Sequence, residues 1–308
     1  MASSPPPHDI PVALPPWTLH ASEIYTIPFY TTSSRTDLLP SFAQDNGESK
    51  ALTEHFKGGL GMVQVLRYTS SPVGAYDEML VVPGFFGVPE AAPVRVGKDG
   101  EDRENGKERM NARITRIFVS TKESVWNGRK NWNIPKHLAT FKFTPVPGSQ
   151  GGMKIEVLPT QGSASPGSQE PFFQATYTPI AYVPALPMST AWAKYLGMDL
   201  TLVQPPLKQV QDAGEGEGEG IGIGTEKWCQ IMPFEKGQCE VGWWDMDRGE
   251  RKMNVRSGDG DEDGIGDAAE EEEDGYSKER FWWPGWGRWR FGAKMVDAAV
   301  LFEEGKKW

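Results

Sequence analysis

The sequence predicts a mainly β protein, an antiparallel barrel or double sheet with a few short helices at its periphery. Three observations predict it. Thirty-five glycines and 25 prolines fall between short apolar runs, a spacing of turn residues that suits strands better than helical bundles. Several of the runs are too short for helices and are bounded by turn signals. With 38% hydrophobic and 11% aromatic residues in 308, the chain can bury a substantial core.

Taken in order, residues 61–69 and Tyr76–Val82 read as strands joined by a Ser-Pro-Val-Gly turn, a pair able to form a hairpin. Residues 112–120 form a further strand, whose Arg113 and Arg116 suggest one partly exposed face. Residues 121–131 read as a helix: Ser120 and Glu123 have the spacing of a capping box, Val125 and Trp126 give an apolar side, and Asn127-Gly128 marks an end. Strands follow at 138–143, 153–158, 172–177, 200–203, 228–232, 240–244 and 289–301. A single domain over 1–308 is expected, with flexible insertions at 98–109, 212–224 and 257–275.

Charge is concentrated in the last of these. The net charge is −10, yet ten of the 42 acidic residues lie between Gly258 and Asp274, and without them the 32 basic residues are balanced. Such a tract reads as a solvated loop, or as a recruiting segment for a basic partner. No basic stripe points to nucleic acid, and no apolar run reaches a bilayer-spanning length. Residues 1–17 lack a basic start followed by an apolar run, so no signal peptide is read and a cytoplasmic location is expected. Cys229 and Cys239 are expected as free thiols. The four histidines are scattered, and with these cysteines they show no zinc spacing, so no metal is expected. The Trp-rich segment 281–289 is expected to pack against the barrel.

Lys136 carries the chemistry. It follows Pro135 and lies among Trp132, Ile134 and Leu138. A protonated lysine is no nucleophile, and an apolar setting is one way to free its lone pair. Pro135 restricts its own backbone and that of Ile134, which fixes the direction in which Lys136 leaves the chain.

Three motifs together resemble the acetoacetate decarboxylase-like superfamily, in particular its divergent fungal members. They are Ser71-Pro72-Val73-Gly74-Ala75-Tyr76-Asp77-Glu78, Ile114-Thr115-Arg116-Ile117-Phe118-Val119-Ser120, and Asn127-Gly128-Arg129 leading into Pro135-Lys136. The match covers roughly residues 72–143. The resemblance implies the fold of that family and a lysine Schiff base at Lys136, acetoacetate decarboxylase being the known example of a lysine activated for this purpose. It implies Glu78 as an acid/base beside the amine. Arg129, His137, Trp132 and Tyr76 are implied as supporting or substrate-binding residues, with Arg129 expected to brace the loop through carboxylate or carbonyl contacts.

Two positions depart from the family. His137 stands where the decarboxylases carry a second lysine, whose charge helps depress the pKa of the first. Ser22 stands where they carry an arginine for the substrate carboxylate, although Arg35 or Arg67 could substitute from elsewhere. The expected function is a cofactor-independent carbon–carbon lyase acting on a β-keto acid or a related carbonyl compound, with aldol or dehydration chemistry through the same imine. The alternative is a non-catalytic β-barrel that binds an apolar small molecule. The expected partner is a small carbonyl substrate, and the family's frequent oligomers allow a homo-oligomer.

Overall fold

The computed structural model describes residues 10–34, 48–88, 109–160, 171–210, 221–246 and 289–308. The tract 258–274 and the Trp-rich segment up to residue 288 lie outside them, as do residues 98–108 and 212–220 of the expected insertions.

Two long strands form the backbone of the sheet: β1 (Trp17–Thr31), and β2 (Phe56–Ser70), which follows helix α1 (Glu48–Thr53). In β1, Trp17, Leu19, Ala21 and Ile24 join one hydrophobic cluster, whereas Tyr25, Ile27 and Phe29 join a second. The change of parity coincides with register shifts against β2 between His20 and Glu23, as a bulge inserts a residue and moves later side chains to the other face. β2 places Leu66 and Tyr68 in the first cluster and Val63 and Val65 in the second. β3 (Tyr76–Val82) does the same with Tyr76, Leu80 and Val82 against Met79 and Val81. The sheet is thus buried on both faces.

The chain continues through β4 (Phe85–Gly87), β5 (Met110–Ala112) and β6 (Arg116–Val119) into helix α2 (Lys122–Trp132) and β7 (Lys136–Leu138). β6 and β7 pair in parallel, joined by α2. This is a βαβ crossover within a largely antiparallel sheet. β8 (Thr140–Pro145), β9 (Met153–Leu158), β10 (Phe173–Pro179) and β11 (Leu186–Ser189) lead to a 3-10 turn at Thr190–Leu196. β12 (Leu202–Gln204), β13 (Cys229–Ile231), β14 (Phe234–Asp245), β15 (Trp289–Phe302) and β16 (Lys306–Lys307) complete the order.

The β-rich class agrees with the expectation, whereas closure does not: the sheet path runs from β16 to β8 and stays open. β8 is suited to an edge, because it is half exposed and carries Lys142 and Pro145, features that discourage further pairing. Other expectations also change. Arg113 and Arg116 are both 1% exposed: Arg113 stacks on Phe86 and donates to the carbonyls of Val203 and Leu52, and burial lowers its pKa to about 10. α2 does not end at Asn127-Gly128 but runs to Trp132, where Asn133 takes the left-handed conformation (φ 55°) and closes it. Ser120 is no cap; its hydroxyl accepts the Asp77 N–H and ties α2 to β3. Finally, Ile221–Ile223 of the second expected insertion are packed, with Ile223 6% exposed.

Candidate active site

Strand alternation puts Tyr76, Glu78 and Leu80 on the face of the first cluster. β6 lies between β3 and β7, with Glu78 paired to Val119 and Ile117 paired to Lys136. Glu78 and Lys136 are therefore two strand spacings apart, roughly 10 Å of backbone, a gap that two long side chains can close over β6. They do: Lys136 Nζ donates to Glu78 Oε2 at 2.6 Å. Lys136 is 4% exposed and Glu78 2%.

Helix α2 completes the enclosure. Lys136 Nζ also donates to Ser124 Oγ at 2.9 Å. Four residues on, on the same helix face, Gly128 leaves room for the lysine stem, since a Cβ there would lie 2.7 Å from Lys136 Cδ and Cε. The glycine that reads as a helix stop is a clearance for the amine. The Tyr76 ring centroid lies 5.2 Å from Nζ, and its hydroxyl bonds with Ser124 and Glu78. Burial, with the Glu78 charge, pushes the Tyr76 phenol well above its ordinary pKa, so it remains a hydrogen-bond donor.

Arg129 is fully buried and donates to three carbonyls, of Ile223 and Lys208 at 2.8 Å and of Lys136 at 3.5 Å. Trp132 meets Trp17 edge-on at 4.9 Å and Phe302 at 5.2 Å, and its indole N–H donates to the Glu303 carbonyl. It walls the same cluster from the side of the terminal strands. His137 faces away from Lys136, as the next residue of a strand must, and its imidazole meets the Arg116 guanidinium. A second lysine at this position would point away as well, so the change to histidine removes no neighbour from Lys136. Arg67 does not substitute for the missing substrate arginine. It lies on the face opposite Glu78, pairs with Glu23 at 3.2 Å and Asp77 at 3.7 Å, and stacks on Phe143. Ser22 is exposed and donates to the Arg67 carbonyl, and Arg35 lies outside the described residues.

Three residues that the sequence reading did not single out belong to this site. Ser124 could have been found from the small residues at i and i+4 of α2, which face one neighbour. Gln64 and Glu235 could not, because they come from β2 and β14. Gln64 pairs in register with Leu80, so it is a diagonal neighbour of Glu78 on the same face. Its Nε2 donates to Glu235 Oε2 and Thr26 Oγ1, both at 3.2 Å. Burial and the Glu78 charge raise the pKa of Glu235, against the Gln64 N–H, which lowers it.

A cleft of about 580 Å³ lies elsewhere, between the 3-10 turn and β13–β14, with Met198, Leu200, Met232 and Phe234 in its wall. It shares no lining residue with the group around Lys136. Among the described residues no helix is long and apolar enough to cross a membrane.

No family model matches the chain. Two plant proteins named NEOXANTHIN-DEFICIENT 1 are similar to it. The one from rice (Oryza sativa subsp. japonica) is 25% identical over 130 residues, 42% of this chain and 35% of its own length. The one from Arabidopsis thaliana is 25% identical over 152 residues, 49% of this chain and 45% of its own. The matches thus span less than half of either plant protein. Among solved structures, acetoacetate decarboxylase from Legionella pneumophila has a TM-score of 0.46 at 14% identity, over 99% of this chain and 92% of that one. The enduracididine biosynthesis enzyme MppR complexed with pyruvate has a TM-score of 0.45 at 12% identity, over 97% and 93%. The chain is similar, in its motif residues and among solved structures, to acetoacetate decarboxylase.

Proposed function

We propose that the chain is a lysine-imine enzyme, a carbon–carbon lyase acting on a β-keto acid or a related carbonyl compound. The observation that carries this reading is a lysine 4% exposed whose only described oxygen partners at Nζ are Glu78 at 2.6 Å and Ser124 at 2.9 Å. Glu78 takes the ammonium proton, which frees the Lys136 lone pair to attack a carbonyl carbon. Loss of water from the adduct gives an iminium, and the proton for the departing oxygen returns from Glu78. The iminium accepts the electron pair released when a neighbouring carbon–carbon bond breaks, or when a neighbouring C–H bond gives its proton to Glu78. Protonation of the enamine and hydrolysis then restore the amine. Ser124 and Tyr76 orient Nζ and supply hydrogen bonds as its charge changes.

Reductive trapping tests this. A ketone with cyanoborohydride should lose its oxygen as water and leave a secondary alkyl group on the Lys136 nitrogen, and on no residue of the Lys136→Met variant; absence of the adduct in the wild type refutes the reading. The second reading, a carrier of an apolar small molecule, rests on the separate cleft with its methionine and phenylalanine wall. It predicts that an apolar fluorescent probe binds the wild type and Lys136→Met equally, with no adduct in either.

A further inference from the structure

Gln64, on the Glu78 face of the sheet, bears on what else a substrate must carry. Gln64 is 5% exposed, and both hydrogen bonds of its amide nitrogen are used, to Thr26 and Glu235. Its amide oxygen is buried without a partner. An orphan acceptor of this kind costs stability in the empty protein and is satisfied by a group that donates a hydrogen bond.

The charges on this face point the same way. Lys136 is matched by Glu78, and Glu235 adds a second carboxyl group. The nearby arginines are engaged elsewhere: Arg67 with Glu23 and Asp77, Arg116 with His137 on the opposite face, and Arg129 with backbone carbonyls. A substrate carboxylate would meet two carboxyl groups, and the positive charge of Lys136 passes to the iminium nitrogen, which is already bonded to the substrate carbon and is shared with Glu78.

Resting on the reading of Lys136 as the imine-forming lysine, we infer that the site takes an uncharged carbonyl compound bearing a hydroxyl group. Gln64 Oε1 accepts the hydroxyl, and Glu235 holds Gln64 in place. Gln64 is then a specificity-determining residue, and Glu235, with the neighbouring Arg129 guanidinium engaged by the carbonyls of Ile223, Lys208 and Lys136, selects against keto acids. The loss is largest for a substrate without the hydroxyl, because a buried polar group is then left unpaired.

The test is trapping at Lys136 with cyanoborohydride, using acetone, hydroxyacetone and acetoacetate, with adducts read by mass. For the wild type, hydroxyacetone should half-saturate at a concentration roughly tenfold below acetone, the effect of one satisfied hydrogen bond, and acetoacetate at or above acetone. In Gln64→Leu the ratio between hydroxyacetone and acetone should fall to about one. Acetoacetate trapping as well as hydroxyacetone in the wild type, or the hydroxyacetone preference persisting in Gln64→Leu, overturns the inference while leaving the imine intact. If Gln64→Leu does not fold, the wild-type comparison alone decides. Adducts from none of the three ketones overturn the imine reading itself, and this inference with it.

Discussion

Among the described residues, two lysine–glutamate pairs of equal length have a buried amine, on opposite faces of the sheet. Lys136 meets Glu78 at 2.6 Å beside Tyr76; Lys294 of β15 meets Glu240 of β14 at 2.6 Å beside Tyr177. By distance, burial of the amine and aromatic neighbour they are nearly the same. They differ in what surrounds them. Lys294 and Glu240 are directly opposed on adjacent antiparallel strands, the usual cross-strand arrangement of opposite charges, and the Glu240 side chain stays 25% exposed. Lys136 and Glu78 span an intervening strand, both are nearly sealed, and a helix supplies a hydroxyl and a cleared path for the stem. A buried lysine with a carboxylate is therefore not a signature of chemistry. Convergence of three elements on one amine is the stronger sign.

The largest expected effect that could break this comparison is on Lys136 itself. Lys136→Met should abolish adduct formation and lower stability by about 3–5 kcal/mol in urea unfolding, because Glu78 is left charged and buried. The double variant Lys136→Met/Glu78→Leu should recover most of that loss. Lys294→Met should cost less, since Glu240 retains contact with water, and should leave the Lys136 adduct in place. An adduct on Lys294 in the wild type would dissolve the distinction.

Next in size is Gly128→Ala. The added methyl should push the lysine stem off its line, at a cost of about 1–3 kcal/mol, against about 1 kcal/mol returned by helix propensity. The net loss of stability should be about 0–2 kcal/mol, while trapping at Lys136 slows roughly tenfold or more, as expected when a reacting group is displaced by a fraction of an ångström. At Gly151, by contrast, a Cβ would sit 3.6 Å from Lys294 Nζ, an ordinary contact.

A smaller effect concerns pH. The Glu235 carboxyl holds its proton more tightly in the folded chain than in the unfolded one. Over the interval from the ordinary carboxylate range up to its raised value, the native state therefore binds more protons and stability falls as pH rises. Glu235→Gln should flatten the urea midpoint in that interval, leaving the contribution of Asp77, whose carboxyl is raised by burial in the same direction. An unchanged slope would remove Glu235 from the buried group.

The smallest effect is on the two thiols. Cys229 packs against the Asn131 carbonyl of α2, and burial pushes its thiol up to about 12. Cys239 adjoins Glu240 and is less buried. Alkylation should modify Cys239 first, and Cys229 only as the region around α2 opens; the reverse order would mean that the Lys136 region is the looser one.

The local half of the site was legible, because its signals are local. Pro135-Lys136, the Tyr-x-Glu strand and the boundaries Tyr76–Val82 and Met153–Leu158 are written in short stretches, and Arg129 reads as a brace through carboxylate or carbonyl contacts, of which the structure shows carbonyls. The long-range half was not. β1 carries a bulge that reverses its parity, so no single period runs along it. Arg113 and Arg116 read as exposed because their carbonyl, aromatic and imidazole partners lie far away in the chain. Gln64 and Glu235 are separated by 171 residues, and nothing near either one announces the other.

The crossover β6–α2–β7 has a consequence for how the chain can vary. Ser124, Gly128 and Lys136 arrive together on one short continuous piece, while Glu78, 58 residues before the lysine, is delivered by strand pairing alone. Length added or removed between β4 and β5 therefore changes neither the register of β3 with β6 nor the separation of amine and carboxylate. The entropic cost of such a change is small, about 0.6 kcal/mol for each doubling of a loop. Relatives could differ widely in size there and still hold the same two atoms in contact.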